Sequence, residues 1–207
     1  MKKSNRQLAR ERQQRQKRKQ YMTWGAFSLT VLAVIVAVLL INRGSFAGTA
    51  SSGSGLMGQA VQVDSRDHVA DSTVPGPYHS NPPAGGSHFA ETLPAKFYQE
   101  SDLTDLGAHP EGHLVHNLEH GYVIFWYNCQ ALAASSGTDC TGLKNTIQQV
   151  MNQTGQTKLI AFPWSSQDVP LAMTSWGRIL KFNKIDAAQM AEFVNRNRYQ
   201  APEPDGK

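Results

Sequence analysis

Apolar positions along the chain form three kinds of run. The first is residues 24–41, WGAFSLTVLAVIVAVLLI, which is apolar on every side and carries no charge. As a helix it is about 27 Å long at 1.5 Å per residue, close to the hydrocarbon thickness of a bilayer. A core helix of a water-soluble domain would need a polar face, so the run predicts a transmembrane helix. The second kind is short and rich in β-branched and aromatic residues. Residues 121–127 (GYVIFWY), 158–164 (KLIAFPW) and 171–182 (LAMTSWGRILKF) predict three strands, the last bending at Gly177. The third has helical spacing. Leu143, Ile147, Val150 and Met151 share a helix face that Gly155 would stop, and Asp186 would cap a last helix with Ala187, Met190, Phe193 and Val194 as its stripe. The order strand, helix, strand, strand, helix predicts a mixed α/β (α+β) domain: a small mixed sheet, one face of it covered by two packed helices.

Polar and breaker-rich segments set the boundaries. Residues 42–60 are rich in Gly, Ser and Ala, and read as a flexible linker in which Phe46, Leu56 and Met57 are too scattered to start a core. The folded domain is placed at residues 61–207. Within it, residues 74–88 (VPGPYHSNPPAGGSH) hold four prolines and three glycines, which excludes helix and central strand. The segment after Tyr199 is expected to be loop.

Charge assigns a direction to this layout. Nine of the twenty Lys and Arg residues precede residue 20, whereas from Gly44 onward ten Lys/Arg face fifteen Asp/Glu. The basic excess belongs to the tail, residues 1–23, which keeps that end cytoplasmic and leaves the domain extracytoplasmic. The helix and the tail are expected to engage membrane lipid. No nucleic-acid partner is expected, because the domain is acidic and the tail lacks interleaved aromatics for base stacking. A cleaved signal peptide ending near Gly48, Thr49 and Ala50 is the rival reading; the length of the apolar run and its strongly charged flank favour an uncleaved anchor.

In an oxidising compartment Cys129 and Cys140 are expected to form a disulfide, and the C-x-x-C spacing of a redox pair is absent. All seven histidines lie between residues 68 and 120. In EGHLVHNLEHG, residues 111–121, His116 and His120 share a face in either helix or strand, so two imidazoles can converge on one ion. Glu119 can be a ligand, an imidazole partner or a general base. His113 joins this face only in a helix, and His88 ends the Pro/Gly loop that would carry it in. His68, His79 and His109 are expected to be solvated loop residues. His116 to His120 also matches the H-x-x-E-H pattern of inverzincin metallopeptidases, but that pattern needs a long helix, and Gly121 and a strand follow at once. Nucleotide-binding and nucleophile-elbow motifs are absent.

Two motifs carry a family resemblance. YHSNPPAGGSH, residues 78–88, resembles the Y-x-S-x-P-P-x-S-G-x-H element of a bacterial family catalogued as domain of unknown function 3105. VHNLEHGYV, residues 115–123, is similar to its H-x-L-E-H-G element, and residues 174–178 through 201–203 resemble its C-terminal part. Gly85-Gly86-Ser87 departs from the family's Ser-Gly-x, and His109 and His113 fall outside the pattern. The resemblance implies membrane attachment with an outside domain; the matching site positions are His88, His116, Glu119 and His120. The sequence thus predicts a site for one zinc or copper ion on these four residues, since imidazole suits either metal. A structural or interaction domain of the cell envelope, with the same histidines hydrogen-bonding the Pro/Gly loop to the sheet, is the alternative, and a metal-dependent hydrolase is the third.

Overall fold

The computed structural model describes residues 55–132 and 138–206. The predicted basic tail, the transmembrane helix and most of the linker lie outside them. Among the described residues no helix is long and apolar enough to cross a membrane.

The domain is built on a five-stranded mixed sheet of β1 (Gln59–Ala60), β4 (Val123–Tyr127), β5 (Leu159–Pro163), β6 (Leu171–Ser175) and β7 (Arg178–Phe182), in the order β1-β7-β6-β4-β5. Strand β4 runs parallel to β5 and antiparallel to β6. The apolar run at 121–127 lacks alternation because both faces of the sheet are covered, which corrects the one-face expectation. Val123, Phe125 and Tyr127 pack with α2 (Cys140–Thr154) and α3 (Ala187–Asn197). Ile124 and Trp126 point the other way, into a second core with Leu114 and Leu118 of α1 (Pro110–Glu119) and with Tyr98, Ile160 and Phe162. Among the described residues three α-helices thus pack on the sheet where two were expected.

Residues 171–182 form two strands, not one bent strand. Ser175 pairs with Arg178, leaving Trp176 and Gly177 as a two-residue turn, with Gly177 at φ +68°. Helix α2 ends at Gly155, which adopts φ +90°, and Asp139 caps its start by accepting from Gly142 N at 2.7 Å. Asp186 caps α3 through Ala188 N and Gln189 N. The stripe of α3 is shifted by one turn from expectation: Ala187 is exposed, and Asn197 joins Met190, Phe193 and Val194. The Cys129–Cys140 disulfide ties the turn after β4 to the first residue of α2.

The linker boundary moves. Residues 59–60 are the edge strand β1, paired with β7, and Met57 packs on the first core. Asn197 holds Met57 by accepting from its N–H and donating to its carbonyl, both at 2.9 Å. Glycine-rich composition hid this, because the segment is recruited by its partners and has little apolar surface of its own.

Candidate metal centre

Helix α1 is the platform of the site. Pro110 occupies its first turn, where the missing N–H costs nothing. Leu114 and Leu118 turn inward to the core, which sets His116 and Glu119 on the neighbouring face, both buried. Gly121, at φ +79°, ends the helix, and a Cβ there would lie 2.8 Å from the Tyr199 backbone.

A small parallel sheet lies beside α1: β2 (His68–Val69) and β3 (His88–Phe89), in the register His68 with His88. That register sets two imidazoles side by side on adjacent strands. Gly112 permits the approach, since a Cβ at that position would sit 2.5 Å from the Phe89 ring. Three rings then meet, with centroids 4.8 Å apart for His68–His88, 4.8 Å for His68–His116 and 4.9 Å for His88–His116. With a Glu119 oxygen, one nitrogen from each ring forms a set of four donors lying within 4.8 Å of one another. A tetrahedral ion with bonds of about 2.0–2.1 Å would hold its donors about 3.3 Å apart, so only side-chain adjustments are needed to close the shell.

The hydrogen bonding of His88 fixes which nitrogen faces the centre. Its Nδ1 lies 2.8 Å from the Gly86 carbonyl, which can only accept, so Nδ1 carries the hydrogen. In the neutral ring Nε2 is then a bare lone pair. It lies 3.0 Å from Glu119 Oε2, without the alignment of a hydrogen bond, and has no hydrogen-bond partner. His88 is 0% exposed. Nδ1 of His116 is likewise buried and unpartnered, while its Nε2 lies 3.1 Å from Nε2 of His120. Burial pushes the His116 pKa down to about 4, reinforced by the neighbouring His120, His88 and His68, so this ring is neutral and able to bind a cation at neutral pH.

Two assignments change. His68, expected to be a solvated loop residue, belongs to the donor set. His120 does not: it caps α1, packs on His116 with ring centroids 4.4 Å apart, and lies at the rim beside Glu203, whose Oε2 is 3.7 Å from its Nε2. His113 is on the helix but donates Nδ1–H to the Glu91 carbonyl and packs on Phe89. His109 contacts Glu111, and His79 pairs with Asp64. The signal that would have found His68 is strand register, which no local pattern around this residue announces.

The C-terminal segment reaches the same place. Glu203 N donates to the Glu119 carbonyl, and Lys158 Nζ donates to the carbonyls of His120, Pro204 and Gly206, each at 2.7 Å. A cavity of about 430 Å³, lined by Asp64, Ser65, Arg66, Asp67, His68, Glu119 and Glu203, opens from the donor set to solvent.

These features define a mixed α/β domain with a His3Glu group able to hold a metal ion. Residues 68–207 match the model of a family described as protein of unknown function (DUF3105), and the chain belongs to that family. No curated protein and no solved structure matches it.

Proposed function

We propose that this protein is a membrane-anchored, extracytoplasmic protein that binds one transition-metal ion, zinc or copper, through His68, His88, His116 and Glu119. The observation that carries the reading is the buried contact between His88 Nε2 and Glu119 Oε2. The Gly86 carbonyl commits Nδ1, so Nε2 is the nitrogen turned to the carboxylate, and a cation shared between them would gain a bond to each. Part of the competing role, a clasp between the Pro/Gly loop and the body, falls to Asn81, which accepts from Trp164 Nε1 and donates to the Ser166 carbonyl. Cys129 and Cys140 are joined to each other, so imidazole and carboxylate set the metal preference, which favours zinc and copper. The basic tail and the uncharged run at 24–41 support the anchor and the outward orientation.

The test is calorimetry and elemental analysis of the metal-stripped full chain in detergent, with any affinity tag removed. One ion per chain is expected, bound more tightly than about 10 μM, and His88→Ala or His116→Ala should abolish it. Wild-type protein that binds neither Zn2+ nor Cu2+ at that level overturns the reading. For the anchor, a reporter active only outside the cytoplasm should work when fused after Lys207; activity of a cytoplasm-only reporter there would reverse the orientation.

A further inference from the structure

The residues around the donor set form a graded series from solvent to core. Glu203 is 59% exposed and its carboxylate lies 3.7 Å from Nε2 of His120, which is 12% exposed. Nε2 of His120 lies 3.1 Å from Nε2 of His116, which is 6% exposed. The ring of His116 packs against that of His88, which is fully buried and presents its unpartnered nitrogen to Glu119. Every member is a group that ligates transition metals, and each lies within a short ligand exchange of the next. Around the outer end, Asp64, Asp67 and Glu203 line the cavity with Arg66 as the single opposing cation among the lining residues. A mouth with excess carboxylate raises the local concentration of cations.

A permanent structural ion has no use for this series, because structural sites are closed by their own ligands. We infer that the ion is exchangeable cargo: His120 and Glu203 form an outer station that captures a late first-row transition-metal ion and passes it, through the shared imidazole of His116, to the inner set of His68, His88 and Glu119. This rests on the metal-binding reading above. Transfer proceeds by associative exchange, in which His116 binds the ion before Glu203 and His120 let go, so the ion is never stripped of ligands in the low-dielectric interior. The C-terminal segment holds the station in place, since Lys158 bonds both the carbonyl of His120 and the carbonyls flanking Asp205.

An outer station speeds entry and exit alike and leaves the equilibrium unchanged; a permanent ligand does the opposite. The experiment uses the full chain in detergent, stripped of metal, with Cu2+ loading followed by stopped-flow tryptophan quenching. Trp176, edge-on to His88 at 6.2 Å, provides a signal. Zn2+ release is followed separately into an excess of a chromophoric chelator. Glu203→Gln and His120→Gln should each slow both loading and release by about fivefold or more, while the equilibrium Kd changes by less than about threefold. His88→Gln should instead weaken Kd by about a hundredfold or more. If wild type binds metal and the rim variants load and release at wild-type rates, the station does not exist. If His120→Gln weakens Kd as much as His88→Gln, His120 is a permanent ligand and the transfer role is wrong. Failure of wild type to bind either ion sinks the metal reading itself, a different result from both.

Discussion

Nε2 of His88 and Oε2 of Glu119 meet at 3.0 Å, with the histidine fully buried and the carboxylate side chain 3% exposed. The two residues are 31 positions apart and arrive on different elements, a two-residue strand and the last turn of a ten-residue helix. Buried polar groups are ordinarily satisfied by a partner. Here the Gly86 carbonyl commits the other ring nitrogen, so Nε2 is the nitrogen that faces the carboxylate, and it has no hydrogen-bond partner. The proposed metal ion would bridge the two atoms, and the following outcomes are expected.

His68→Ala should lower metal affinity at least about tenfold, because it removes one of three imidazoles from the set. His109→Ala and His113→Ala, whose rings contact Glu111 and the Glu91 carbonyl, should leave affinity unchanged. Titration calorimetry with Zn2+ measures all three; equal effects from the three substitutions would refute the donor assignment.

Gly112→Ala replaces a weak helix former with the best one, a change that by itself favours the helix by about 1 kcal/mol. Contact with the buried Phe89 ring reverses the sign. The variant should be less stable by about 1–3 kcal/mol and bind metal more weakly, since β3 must retreat and carries His88 with it. Denaturant unfolding of the metal-free chain and calorimetry check the two effects; a stabilised variant with normal affinity would show that β3 does not rest on Gly112.

The metal-free protein should lose stability as pH falls from about 6.5 to about 4. His116 is held below its ordinary value by burial, so in this window the unfolded chain takes up a proton that the folded chain refuses. The contribution is complete above about 6.5 and is lost as pH falls toward about 4, by up to roughly 3 kcal/mol. Denaturant midpoints at neutral pH and at pH near 4.5, with chelator present, should fall more for wild type than for His116→Gln. Equal decreases would show that His116 titrates normally.

The pair Cys129→Ser with Cys140→Ser should cost about 3 kcal/mol, as expected for opening a loop of roughly a dozen residues, and should leave metal stoichiometry at one. The disulfide lies at the far end of β4 from α1, so loss of the ion in this variant would show that the site depends on the loop. Unfolding curves and metal analysis of the same preparation decide both points.

Lys158→Met should free the C-terminal segment, because one ammonium serves three carbonyls. A loss of roughly 2–4 kcal/mol is expected, with faster amide exchange at Glu203 and Gly206, whose N–H groups donate to the carbonyls of Glu119 and Glu203. Unchanged exchange there would mean that Tyr199 and Glu203 hold the segment without the lysine.

How much of this was legible beforehand depends on the range of the interaction. The helix ends at Gly155 and Asp186 were, because these residues act on backbone groups within a few positions of themselves. So was the strand at 121–127, whose aromatic and β-branched run has only one comfortable conformation. The disulfide followed from two nearby cysteines in a domain expected to be extracytoplasmic, and three members of the donor set, His88, His116 and Glu119, stood in the two motifs. The exchange of His120 for His68 was not legible. The spacing of four residues puts His120 on the face of His116, but the helix stops at Glu119, and His120 turns toward Glu203. His68 enters only because Val69 and Phe89 align their strands in one register, and a slip of one residue would point its ring away. Composition likewise hid β1, whose few residues are ordered by β7 and Asn197. The sequence by itself determined which side chains could ligate and where the backbone must turn, since those are local properties. Only the tertiary structure decided which ligands meet, because pairing between distant strands rests on partners that neither segment encodes alone.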